Sequence, residues 1–143
     1  MTGQETLGFL LADVSRLMRR AFQQRLEGSE LTLAQARVLV NISRHQGIRQ
    51  VDLAELLEIQ PITLARLIDQ LAGAALVERR SDPHDRRAYQ LFLTAAASPH
   101  LDAIARVGEA IRLDALKGLD DKEYQQFLRV LRRLRDNLGA RSQ

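Results

Sequence analysis

Residues 50–71, QVDLAELLEIQPITLARLIDQL, decide the fold. Their first part, from about Gln50 to Leu57, has the length and apolar pattern of a short helix, and Glu58, Ile59 and Gln60 form a turn after it. Pro61 stands where a first helical residue belongs, because its fixed φ suits a helix start and its missing N–H costs nothing there. Beyond it Leu64, Leu67, Ile68 and Leu71 share one face, while Thr63, Arg66 and Gln70 share the other. Two helices joined by a three-residue turn predict a helix-turn-helix.

C-terminal to this pair the apolar period changes from 3.6 to 2. LVERR (76–80) and AYQLFLT (88–94) read as strands, with Tyr89, Leu91 and Leu93 facing one way and Ala88, Gln90 and Phe92 the other. The polar stretch SDPHDRRAY (81–89) carries the loop between them. A two-stranded hairpin is not stable alone in water, so this one must lean on the helices before it. A hairpin directly after a helix-turn-helix is a wing, whose tip lies near the nucleic-acid backbone when the preceding helix occupies the major groove.

N-terminal to the pair, Leu7, Leu10, Leu11, Val14, Leu17, Met18, Ala21, Phe22 and Leu26 follow helical spacing, with Gly28 and Ser29 ending the helix. LTLAQARVLVNI (31–42) predicts a second helix with Thr32 as N-cap, closed by Gly47. After Thr94 the chain returns to helix with Leu101, Ile104, Val107, Ile111 and Leu116 in phase. Asp120 and Glu123 form a capping-box signature for a last helix whose face is Tyr124, Phe127, Leu128, Leu131, Leu134 and Leu138, ended by Gly139. The expected fold class is mainly α with a small β-hairpin wing (α+β): a winged helix-turn-helix whose N- and C-terminal helices form a dimerisation region. Residues 1–143 are read as one domain, with a DNA-binding lobe at 30–97 and dimerisation helices at 5–27 and 98–140.

The chain has 143 residues, 45% hydrophobic and 27% charged, which is globular composition. Aromatics supply only 4%, so the core is aliphatic. Of 21 basic residues only Lys117 and Lys122 are lysine, leaving 19 arginines. Arginine's flat donor fork matches phosphate and base edges, although a GC-rich genome produces the same bias. The absence of cysteine excludes disulfides and thiolate sites. The N-terminal apolar run, broken at Asp13, predicts neither a signal peptide nor a membrane span, and a cytoplasmic location is expected. His45, His84 and His100 lie in separate segments without metal-ligand spacing, and no phosphate loop or nucleophile elbow occurs. No enzyme, metal or cofactor is expected.

The reading therefore places double-stranded DNA against the wing and the second helix of the pair. Arg86 and Arg87 reach phosphate or the minor groove. Asp85 is expected to hold one of these guanidinium groups in a fixed pose, with Asp82 and Pro83 shaping the turn. Arg66 suits bidentate guanine recognition, Thr63 a thymine methyl or a phosphate, and Gln60 and Gln70 base edges or phosphates. Pro61 opens this helix, and the backbone N–H of Gln50 faces a phosphate at the start of the preceding one. An exposed helix face and a charge-balanced loop are the plain alternatives. Long amphipathic helices at both chain ends expose more apolar surface than one small core covers. The expected partner is a second copy, joined through Leu7, Leu10, Leu11, Val14, Tyr124, Phe127, Leu131, Leu134 and Leu138. A protein–protein module binding an acidic partner, and a ligand-independent activator or architectural DNA-binding protein, are the alternatives in function.

DLAELLEIQPITLARLIDQLAGAALVERRSDPHDRRAYQLFLT (52–94), with Asp-Arg-Arg-Ala followed by Leu-Thr, resembles the MarR family of bacterial winged-helix regulators, most closely its SlyA-like branch. Looser similarity extends over LTLAQARVLV and LDDKEYQQFLRVLRRL. The resemblance implies a homodimer that represses transcription from a pseudo-palindromic operator. It also implies release by a small phenolic or carboxylate effector bound between the dimer base and the winged lobe. Arg16, Arg20 and His45 are polar groups that could border such a cavity, but the sequence assigns no pocket. Many members have glycine where this chain has Ala75 and Ala97, which predicts a different end for the helix before the wing.

Overall fold

The computed structural model describes residues 5–140. In chain order these form α1 (Leu7–Leu26), α2 (Leu33–Arg44), α3 (Gln50–Leu57), α4 (Pro61–Gly73), β1 (Val77–Asp82), β2 (Asp85–Leu93), α5 (Ser98–Ala115) and α6 (Asp121–Ala140). The chain divides between residues 108 and 109 into two compact units. Helices with a two-stranded antiparallel hairpin are the architecture the sequence predicts.

Local chemistry sets the helix starts. Thr32 Oγ1 accepts the Gln35 N–H at 3.1 Å and Gln35 Oε1 accepts the Thr32 N–H at 3.0 Å, a complete capping box. Asp120 and Glu123 repeat the exchange before α6, at 2.8 and 3.0 Å. Pro61 occupies the first turn of α4. The core is aliphatic: Leu39 and Ile42 of α2, Leu53 of α3, Leu64, Ile68 and Leu71 of α4 and Leu91 of β2 are fully enclosed. Each such burial contributes about 1.5–3 kcal/mol, so the helix pair is fixed by its apolar faces and its polar faces are left to solvent. Leu67 is only half-buried at the edge of this cluster.

The hairpin differs from the sequence expectation. The strands run almost to the tip, leaving Pro83 and His84 as a two-residue turn. The ladder steps from Ser81↔Tyr89 to Asp82↔Asp85, so Arg86, Arg87 and Ala88 bulge out of register with β1. Tyr89 shares the side of Leu91 and Leu93 but is exposed, because the hairpin projects beyond the core there. The segment before α3 adds a third, strand-like edge that the sequence did not signal. Gly47 N–H donates to Leu91 O and Leu91 N–H to Ile48 O, both at 2.9 Å, and Arg49 bridges to Gln90. At the base, Thr94 Oγ1–H donates to Ala75 O at 2.6 Å and Thr94 N–H to Leu76 O at 3.0 Å.

Two helix ends depart from expectation. Ala75 takes the left-handed conformation itself, at φ +63°. Leu76 N–H donates to Leu71 O and Ala75 N–H to Ala72 O, both at 2.9 Å, so α4 ends in a Schellman turn without glycine. Burial of Leu76 and the Thr94 bonds to this turn hold the strained residue in place. Gly139 does not end α6, which continues to Ala140, the last described residue.

Candidate nucleic-acid interface

The arginines around α4 and the hairpin divide into those committed inside the lobe and those left free. Arg79 is a clamp: its Nε donates to Gln50 Oε1 at 3.1 Å, and its Nη2 to Asp69 Oδ1 at 2.6 Å and to Ala65 O at 3.3 Å. It thereby ties β1 to the start of α3 and the middle of α4. Arg80 bonds Glu78 at 3.1 Å and lies 4.0 Å over the Phe92 ring. Arg49 places Nε 3.1 Å from Asp82 Oδ2 and Nη2 3.3 Å from Asp85 Oδ2. The Nε–H is not aimed along the first of these lines, so that contact is an ion pair without a hydrogen bond. Asp82 is almost fully buried, and its Oδ1 accepts the His84 N–H at 2.8 Å, which closes the turn.

The expected task of Asp85 is corrected by these contacts. It holds neither Arg86 nor Arg87 side chain: Oδ2 goes to Arg49, and Oδ1 accepts the backbone N–H of Arg87 at 3.0 Å. The bulge aims the carboxylate back toward the lobe. Among the described residues the guanidinium groups of Arg86 and Arg87 are exposed and have no protein partner, and Arg66 on α4 is in the same condition. Thr63 and Gln60 are exposed beside it. Gln70 is exposed too, but its Oε1 accepts from Gln35 Nε2 at 3.0 Å, which binds it to α2. The Gln50 side chain is likewise used by Arg79, while its backbone N–H lies in the uncapped first turn of α3. The α4 start has no side-chain cap either. Uncapped first-turn amides on adjacent helices suit an anionic backbone.

Arg49 and the clamp role of Arg79 are the site residues that sequence reasoning missed. A signal existed for Arg79: period 2 puts it on the Val77 side of β1, across from the buried Leu91. A cation on the inward phase of a strand must find partners in the fold. For Arg49 there was none, since Asp82 lies far along the chain.

A groove of about 700 Å³ opens between α1, α2 and the turn after α3. Phe22, Leu33, Val40 and Ile104 supply apolar walls, and Arg19, Arg37 and Asn41 supply polar ones. Arg16, Arg20 and His45 do not line it; Arg16 pairs with Asp13 at 3.6 Å. No cluster of three or more metal-ligating residues occurs among the described residues, and no described helix is long and apolar enough to cross a membrane.

A helix-turn-helix with free cations on its second helix, followed by a wing with free cations at its tip, defines a winged-helix DNA-binding regulator. The MarR family profile matches residues 31–89. A crystal structure of MarR superposes with a TM-score of 0.86 at 28% identity, covering 98% of this chain and 95% of that one. A mutant E. coli MarR complexed with operator DNA aligns at 26% identity and TM-score 0.72 over 90% of this chain and 92% of that one. A MarR transcriptional regulator from Methanosarcina mazei Go1 shares the fold at 24% identity and TM-score 0.84, covering 98% of this chain and 100% of that one. Over residues 31–89 the chain is thus similar to the MarR family, and along most of its length it shares the fold of MarR structures.

Proposed function

We propose that this protein is a cytoplasmic homodimeric repressor that occupies a pseudo-palindromic operator and leaves it when a small phenolic or carboxylate ligand binds. One observation carries the reading: Arg49, Arg79 and Arg80 are consumed in holding the wing, whereas Arg66, Arg86 and Arg87 are held out with nothing in the described chain to neutralise them. Within the lobe at 30–97, α4 enters the major groove. There Arg66 meets a guanine, Thr63 a thymine methyl or phosphate, and Gln60 and Pro61 sit at the leading end. Arg86 and Arg87 follow the neighbouring phosphates or minor groove. The first amides of α3, at Gln50, meet a phosphate. Asp82, Pro83 and Asp85 shape the wing, and Gln70 positions α4 through Gln35. No catalytic role is assigned to any residue.

The dimer rests on surface that a single chain leaves open. On α1, Leu7, Leu10, Leu11 and Val14 are each exposed by 40% or more, and Phe9 by 72%. On α6 no residue is fully buried; Phe127 and Leu138 are exposed, and Tyr124, Leu131 and Leu134 half-buried. Apolar faces of this size mark an interface, assigned here to a second copy through the helices at 5–27 and 98–140. The groove bordered by Arg19 and Arg37 is the place for an aromatic carboxylate effector, since its apolar walls suit a ring and its guanidinium groups an anion.

Selection from a random duplex library tests the reading. The enriched sequence is expected to be an inverted repeat with half-sites about one helical turn apart, bound by two chains per duplex in sedimentation. A protein that enriches no sequence and instead binds an acidic protein surface overturns it.

A further inference from the structure

Ile62 has no role in the fold. It follows Pro61 in the first turn of α4 and is 64% exposed, the highest value among the large apolar residues of the helix-turn-helix and wing. Its neighbours in sequence are accounted for: Ile59 packs on the core, and Leu64 is fully enclosed. Isolated exposed apolar residues are ordinary on protein surfaces. This one, however, stands one helical turn before Arg66, on the same face, at the end of the helix that enters a groove most deeply. It is also a poor choice for an exposed helical position, because its β-branched side chain loses rotamer freedom there and gains no packing.

Building on the DNA-binding reading above, we infer that Ile62 reads a thymine 5-methyl group, so that each half-site carries an A·T pair close to the guanine met by Arg66. In the major groove the thymine methyl is the one apolar feature of a base-pair edge, and an aliphatic side chain is its complement. Four residues of helix advance about 6 Å, and base pairs are spaced about 3.4 Å apart. The thymine therefore lies one or two steps from the guanine. Thr63 carries one methyl and a hydroxyl that can turn to a phosphate, whereas Ile62 has only apolar atoms to offer and so discriminates on the methyl alone.

The test uses the site enriched by the intact protein, synthesised with deoxyuridine replacing thymidine at one position at a time. Uracil pairs as thymine does and lacks only the methyl. At one position per half-site the substitution is expected to weaken binding about four-fold, the effect of one buried methyl. The Ile62→Ala protein, which loses the contact in both half-sites, should bind the thymine site about as weakly as the unsubstituted protein binds a site with uracil at that position in both half-sites, about 16-fold below the parent pair, and should be indifferent to uracil there. Ile62→Val, which keeps a branched apolar tip, should retain most of the discrimination. If Ile62→Ala keeps full sensitivity to uracil at every position, the assignment is overturned while the DNA-binding reading stands. If the intact protein enriches no duplex at all, both fall.

Discussion

Replacing Arg86 and Arg87 together by alanine isolates the wing's contribution to DNA binding. Both side chains lie in the bulge of β2, exposed and without partners, so their loss breaks no ion pair. Folding stability should stay within about 0.5 kcal/mol of the parent. The effect on binding comes from counterion release. Two cations per chain are four per dimer, and at about 0.9 per neutralised phosphate the log–log salt slope should shrink by roughly 3.6. Between about 50 and 200 mM salt each unit of slope is a four-fold change. The affinity advantage of the parent over the variant should therefore fall by roughly 150-fold across that range. Fluorescence anisotropy with a labelled operator duplex, at several salt concentrations, measures both slopes. Arg80→Ala is the control. Its guanidinium is occupied by Glu78 and Phe92, so it should move the slope by much less. Equal slopes for the parent and the double variant would refute the claim that the bulge delivers these cations to phosphate.

Ala75→Gly should stabilise the protein by about 0.5–1 kcal/mol, seen as a higher midpoint in urea. It relieves about 1–2 kcal/mol of left-handed strain at φ +63° and gives part of that back as glycine's larger entropy loss. Asp82→Asn keeps the acceptor for His84 N–H but leaves Arg49 with Asp85 alone. Because Arg49 is partly solvated, the loss should be about 1–2 kcal/mol rather than that of a fully buried pair. The same change should speed amide exchange at the wing tip. Glu109, hydrogen-bonded by Arg112 Nε at 2.8 Å, is held below the ordinary carboxylate range, chiefly by that bond. Its contribution to stability is present above the ordinary carboxylate pKa and is lost as pH falls through the lowered one. An NMR titration should find it low in the parent and back in the ordinary range in Arg112→Gln.

What was legible in the sequence is what depends on near neighbours. The Thr32–Gln35 and Asp120–Glu123 caps, the Pro61 start of α4 and its inward face at Leu64, Ile68 and Leu71 use atoms within a few residues of one another. Helical spacing and cap chemistry are enough to find them. The third edge of the sheet was not legible. Residues 47–49 pair with β2 across more than forty positions, and three residues carry no period. Ala75 shows the same limit from the other side: local preference argued against a left-handed alanine, and tertiary bonds from Thr94 together with the burial of Leu76 overrode it.

The wing shows why counting charges could not locate the interface. Between Arg79 and Arg87 the chain carries four arginines and two aspartates, so the formal sum is +2 (4 − 2). A solvated loop in which each carboxylate neutralises an adjacent guanidinium has the same sum and offers DNA no preferred direction. In the fold the carboxylates turn inward. Asp82 and Asp85 take Arg49 from outside the stretch, and Arg79 is taken by Asp69, also from outside it. The sum over the stretch is unchanged, yet with Arg80 paired to Glu78 the two guanidinium groups left without a partner are neighbours, Arg86 and Arg87 at the bulge. Electrostatic attraction to a phosphate falls off with distance and is screened over roughly 10 Å at 0.1 M salt. Two cations presented together at a tip therefore act on DNA in a way that the same charges, paired within a loop, cannot.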